Sequence, residues 1–104
     1  MDLKSLVAQA QEMQQRAQQV EESLLKLTVS GSSGGGMVTV EADGKGHVKK
    51  VRLDPAVVNP ADVELLEDLI TVAVTEAQKK AGDAAQREMR ALMGGVNLPF
   101  PLSF

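Results

Sequence analysis

The apolar residues of the first quarter of the chain fall on one helical stripe. Leu3, Leu6, Ala10, Met13, Ala17, Val20 and Leu24 are separated alternately by three and four positions, the a/d seam with which one helix faces another. Gln9, Gln11, Gln14, Gln15, Gln18 and Gln19 fill the other faces with a good helix former, and neither Gly nor Pro precedes Gly31. Such a helix extends on the order of 30 Å, so part of it is expected to project from its domain. The competing expectation is a helix lying wholly on its own sheet.

Beyond the helix the period changes. Residues 28–30 (Thr-Val-Ser) lead into Gly31-Ser32-Ser33-Gly34-Gly35-Gly36. That run lacks the Lys-Ser/Thr pair with which a phosphate-binding loop opens its helix, and its composition predicts a flexible connector. Over residues 37–42 the pattern alternates, with Val38, Val40 and Ala42 on one face and Thr39 and Glu41 on the other. Asp43-Gly44-Lys45-Gly46 predicts a hairpin turn. On the returning strand Val51 and Leu53 are expected on one face, and Val48, Lys50 and Arg52 on the opposite one. With residues 28–30 this gives at most a three-stranded antiparallel sheet whose exposed edges invite pairing with another copy.

Asn59-Pro60-Ala61-Asp62 predicts a helix start, with Asn as N-cap and Pro at the first helical position. The helix over residues 59–93 carries Val63, Leu65, Leu66, Leu69, Ile70, Val72, Ala73, Val74 and Ala77 around a narrow polar stripe, the pattern of a main core helix. Farther on, Lys79, Lys80, Arg87 and Arg90 are expected to form a basic face opposite Ala81, Ala84, Ala85 and Leu92. Gly82 reads as a surface glycine or a bend. Gly94-Gly95 is expected to end the helix. In the tail Leu98, Phe100, Leu102 and Phe104 alternate with Pro99, Pro101 and Ser103, which predicts an extended segment docked on the domain or on a dimer partner, the alternative being a frayed tail.

Composition narrows the possibilities. The 104 residues include no Cys, Trp or Tyr, and the only aromatic residues are Phe100 and Phe104, so the core must be aliphatic. Disulfides and thiolate metal sites are excluded. The opening MDLKSLVAQAQEM is too polar for a signal peptide, and no apolar run suffices for a membrane span, so a cytoplasmic protein is expected. The net charge of −3 argues against a strongly electrostatic nucleic-acid binder, but charge is uneven. Residues 45–52 hold Lys45, Lys49, Lys50 and Arg52 with no acid, whereas residues 62–76 hold Asp62, Glu64, Glu67, Asp68 and Glu76 with no base. Attraction for an anionic partner must therefore be local.

Candidate chemistry is sparse. The single histidine, His47, has no local carboxylate pattern to orient it and is expected at the surface. HExxH and GxSxG are both absent from the sequence. Paired acids such as Glu21-Glu22 and Glu67-Asp68 point to different sides of a helix, and no ligand spacing for a metal emerges. A non-enzymatic chain is expected, with no cofactor, metal or small-molecule substrate. Without internal aromatics there is no stacking platform for single strands. What remains is phosphate contact from the basic helical face and from the hairpin, which positions a protein on a duplex without reading much sequence.

In combination these features resemble the YbaB/EbfC family of bacterial nucleoid-associated DNA-binding proteins. The resemblance rests on LVAQAQEM over residues 6–13, TVSGSSGGGMVTV over 28–40, VKKVRLDP over 48–55, LEDLI over 66–70 and the proline-containing tail. It implies an α+β fold: long N-terminal helix, three-stranded antiparallel sheet, long C-terminal helix and extended tail, in a two-fold dimer. One domain over residues 1–104 is expected, with a helical arm at 1–26, the sheet at 27–54, the long helix at 59–93 and the tail at 94–104. The resemblance further implies a homodimer that binds double-stranded DNA with limited sequence preference through tweezer-like arms, with a role in gene regulation or nucleoid organisation. Lys4, Arg16, Lys79, Lys80, Arg87 and Arg90 then become the candidate DNA contacts. The alternative is a protein-protein adaptor whose heptad helix grips a partner helix, with no physiological DNA binding.

Overall fold

The computed structural model describes residues 2–93. Helix α1 (Leu3–Lys26) is followed by strands β1 (Thr28–Ser33), β2 (Val38–Asp43) and β3 (Val48–Leu53) and by the 31-residue helix α2 (Val63–Met93). Short 3-10 turns at Gly34–Gly36 and Pro55–Val57 lie between β1 and β2 and between β3 and α2. The strands form one antiparallel sheet in the order β1-β2-β3. The expected α+β succession of helix, three-stranded sheet and helix is the one observed; Gly94-Gly95 and the tail lie outside the described residues.

The core forms where α2 crosses β1 and β2. Val38, Val40 and Ala42 on the inner face of β2 are fully buried with Ala73 and Ala77 of α2, and Val57, Val29, Leu66, Leu69, Ile70 and Val74 pack around them. Small residues at 73, 77, 81 and 84 let the helix backbone come close to the sheet. Gly31 answers them from β1, because a Cβ there would run into the Ala73 carbonyl and the Ala77 amide. Hence residues 31–33, expected in a flexible connector, belong to β1, paired with Val40, Thr39 and Val38. Only residues 34–37 make the connection, and Gly34, Gly35 and Gly36 are all at positive φ, a conformation open to glycine at little steric cost.

Three other expectations change. Glu41 pairs with Lys50 but Ala42 pairs with Val48, a register shift at Glu41/Ala42. The extra residue of this bulge turns Val48 to the face of Val51 and Leu53, not to that of Lys50 and Arg52. Helix α2 begins at Val63, not at residue 59: Asn59 Oδ1 accepts from the Ala61 amide at 3.0 Å and closes a turn, and Asp62 Oδ1 accepts from the Leu65 amide at 3.3 Å. Two acceptors compete for the start, and the second caps the helix. Finally, the wide apolar face of α2 is only partly covered, since Val63, Leu65 and Val72 remain about half exposed. The helix lies over β1 and β2 and leaves Val48, Val51 and Leu53 of β3 about 40% exposed.

Helix α1 stands away from the sheet. Its N-terminus is capped by Asp2, which accepts from the Ser5 amide at 2.8 Å. Along the heptad seam only Leu24 is buried; Met13 and Val20 are half-buried, and Leu3 and Leu6 are exposed. Leu24 is anchored by its carbonyl, which accepts from the Gly44 amide at 2.7 Å. The expectation of a helix lying wholly on its own sheet is thereby excluded. Helix α2 runs through Gly82 without interruption, although Gly there costs the helix about 1 kcal/mol relative to Ala. The two helices extend the chain to 70 × 25 × 16 Å.

The hairpin turn is organised by one buried acid. Asp43, 5% exposed, accepts from the amides of Lys45 (2.9 Å) and His47 (3.0 Å) and faces His47 Nδ1 at 3.0 Å. His47 is exposed as expected, yet Asp43, four residues earlier, does orient it. Burial pushes the Asp43 carboxyl up, but the His47 and Lys45 amides and the imidazole outweigh it and hold the pKa below the ordinary carboxylate range. A folded-state pKa below the unfolded one adds stability above the unfolded pKa and loses it as pH falls through the folded value. Denaturation followed from neutral to acid pH should therefore show Asp43→Asn less stable than the parent at neutral pH, with the difference shrinking in acid. A difference that is constant with pH contradicts this role.

Candidate nucleic-acid interface

The six candidate cations lie on the two long helices, and all are exposed. On α2, Lys79, Lys80, Arg87 and Arg90 occupy one arc of about 100°. It is not opposite the alanines. Lys80 follows Ala77 by three residues and Arg87 follows Ala84 by three, so both border the buried stripe. Asp83, four residues after Lys79 and four before Arg87, sits inside the arc with Glu76. The arc is basic overall but interrupted.

The ion pairs separate occupied cations from free ones. Arg16 bonds Glu12 at 2.8 Å and Lys80 bonds Glu76 at 3.2 Å, each one helical turn away. Exposed pairs of this kind are worth about 0–1 kcal/mol and are readily exchanged for a phosphate. Lys45 is paired with Glu21 across the base of α1, and its ammonium holds the Glu21 carboxyl below the usual range. Among the described residues, Lys4, Lys79, Arg87 and Arg90 have no carboxylate within ion-pair distance.

Helix α1 and the C-terminal half of α2 are brought together at their sheet-proximal ends. Leu24 shares a cleft with Ala81, Gly82 and Ala85. Counted from Leu24 and Ala81, Arg16 and Arg87 stand on the order of 10 Å out along their helices. Lys4 lies on the order of 30 Å out, so it is not grouped with the others. Lys49, Lys50 and Arg52 of β3 are also exposed and unpaired among the described residues. They were visible in the sequence as an acid-free run but fall outside the six candidates, because they lie on the sheet and not on the arms.

Relatives agree with this architecture. A crystal structure of an uncharacterized protein from Helicobacter pylori superimposes with a TM-score of 0.81 at 23% identity, covering 90% of this chain and 99% of that one. A curated nucleoid-associated protein of Gemmatimonas aurantiaca is 51% identical over the whole of both chains. One from Gluconacetobacter diazotrophicus is 42% identical over 99% of this chain and 96% of its own. Residues 1–96 match the profile of the YbaB/EbfC DNA-binding family. On this evidence, the chain belongs to the YbaB/EbfC DNA-binding family.

Proposed function

We propose that the protein is a homodimeric, nucleoid-associated DNA-binding protein that grips duplex DNA through cations on its helical arms. It acts in the cytoplasm as a single domain over residues 1–104, with limited sequence preference and a role in gene regulation or nucleoid organisation. The observation that carries this reading is the arc of Lys79, Lys80, Arg87 and Arg90 on the free end of α2, in a chain of the DNA-binding family. Lys4 and Arg16 on α1 add to it. In this reading these side chains contact phosphates, which position the protein without selecting sequence. Among the described residues no helix is long and apolar enough to cross a membrane.

A second copy is supported by apolar surface that one copy leaves bare: Val48, Val51 and Leu53 on β3, Leu65 and Val72 on α2, and the outer half of the α1 seam. Pairing doubles each basic cluster, so that patches weak singly act together with an avidity set by dimer geometry. Light scattering should give the mass of two chains; a monomer at working concentration contradicts the dimer. Gel shifts on two duplexes of unrelated sequence at low salt should give similar affinities. Failure to shift either one overturns the DNA reading. A partner-protein pull-down that depends on Leu6, Met13 and Val20 while DNA binding is absent would favour the adaptor alternative.

A further inference from the structure

Arm α1 is fastened to the body through the β2–β3 turn. Among the described residues, both hydrogen bonds that tie it to the rest of the chain beyond its own caps end there: the Gly44 amide donates to the Leu24 carbonyl at 2.7 Å, and the Lys45 ammonium bonds the Glu21 carboxylate one helical turn farther out. The contact at Gly44 is as close as backbones allow. A Cβ there would stand 2.8 Å from the Leu24 carbonyl oxygen and 3.0 Å from its Cα. The turn is itself held from two sides. Asp43 accepts from the Lys45 and His47 amides, and from α2 the Gln78 side-chain amide donates to the Gly46 carbonyl at 3.1 Å. Residues 43–47 therefore join the sheet to both long helices.

We propose that this turn is the joint that sets the direction of arm α1, and that Lys45 and Glu21 act on DNA binding as positioning residues and not as contacts to DNA. Leu24 is the one buried residue of α1. A single buried side chain holds a helix at a point and constrains its direction weakly; a second fastening one turn away fixes the direction. The Lys45–Glu21 pair supplies it. The lever is long: Lys4 lies on the order of 30 Å from Leu24, so a swing of about 10° at the joint moves it by about 5 Å. Lys45 also differs from the other cations of its acid-free run. Its side chain is 36% exposed and committed to Glu21, whereas Lys49, Lys50 and Arg52 have no carboxylate within ion-pair distance among the described residues. The positioning role rests on the DNA reading above; the joint does not.

Glu21 gives the sharpest test, because removing an acid favours a polyanion by charge alone. Glu21→Gln is expected instead to weaken binding to a labelled duplex by about fivefold, the upper end for an exposed ion pair, and Lys45→Glu to weaken it as well. Exchanging the two, Lys45→Glu with Glu21→Lys, restores most of the loss. Unchanged or tighter binding by Glu21→Gln overturns the positioning role, and so does an exchange that restores nothing. The joint is read without DNA. The sequence has no cysteine, so spin labels at Gln14→Cys on α1 and Ser30→Cys on β1, both exposed positions, report the direction of the arm in the full chain, with labelled chain diluted into unlabelled. The parent gives one narrow distance distribution, Lys45→Glu broadens it, the exchange narrows it again, and Gly44→Ala displaces it. A distribution that Lys45→Glu and Gly44→Ala both leave unchanged overturns the joint. A parent that shifts no duplex while its distances respond as expected overturns the DNA reading and the positioning role, and upholds the joint.

Discussion

Gly31→Val is expected to cost about 3 kcal/mol, the upper part of the range for overpacking a filled core. The atoms that a Cβ would meet are backbone atoms of Ala73 and Ala77, which cannot move aside as a flexible side chain can. Relief requires lifting α2 from β1, and with it the cover over Val38, Val40 and Ala42. Against a typical total of about 5–15 kcal/mol this is a large fraction, equivalent to a Tm lower by about 15 °C for a domain of this size. Thermal denaturation at fixed protein concentration measures it. Gly35→Ala is the control: φ is +66° but nothing lies within 4 Å, so only the left-handed backbone cost of about 1 kcal/mol applies. A Gly31→Val protein that melts with the parent contradicts the close crossing of α2 over β1.

The largest functional effect is expected from neutralising the free end of α2. Lys79→Gln, Lys80→Gln, Arg87→Gln and Arg90→Gln together keep good helix formers and remove the cations that lie on one arc. Each phosphate no longer neutralised makes the slope of log affinity against log salt less steep by about 0.9. Loss of even two contacts per chain, doubled in a dimer, lowers low-salt affinity by more than about tenfold and leaves what remains less sensitive to salt. Circular dichroism should be unchanged, because all four side chains are exposed. Unaltered affinity and slope in a folded variant would move the DNA contacts elsewhere, with Lys49, Lys50 and Arg52 of β3 the next exposed cations to neutralise.

How far the sequence foretold these features depends on how local each one is. The α1 seam and the alternation at Val38, Val40 and Ala42 were legible because a helix or strand prints its own period. The Arg16–Glu12 and Lys80–Glu76 pairs follow from spacing within one helix. Lys45–Glu21 does not, because 24 residues separate the partners and only the fold brings the turn to α1. Gly31 looked like the start of a loop since the reason for it lies on α2, forty-odd residues away. Val48 changed face because a bulge is a property of two strands together. The basic arc was legible in residue types but not in how close it lies to the buried stripe: Ala77 and Ala84 are buried, and Lys80 and Arg87 follow them by about one turn. The half-covered face of α2 has the same origin, since periodicity marks a face as apolar without saying whether the same chain covers it.

The central claim is that this acidic chain holds duplex DNA by phosphate contacts from its arms. The most direct measurement is its affinity for a labelled duplex of arbitrary sequence as salt is raised from about 50 to 200 mM. Binding that weakens along a straight log-log line, with a slope of several units and little change when the sequence is scrambled, is the predicted result. No binding at the low-salt end, or an affinity that does not respond to salt, would contradict it.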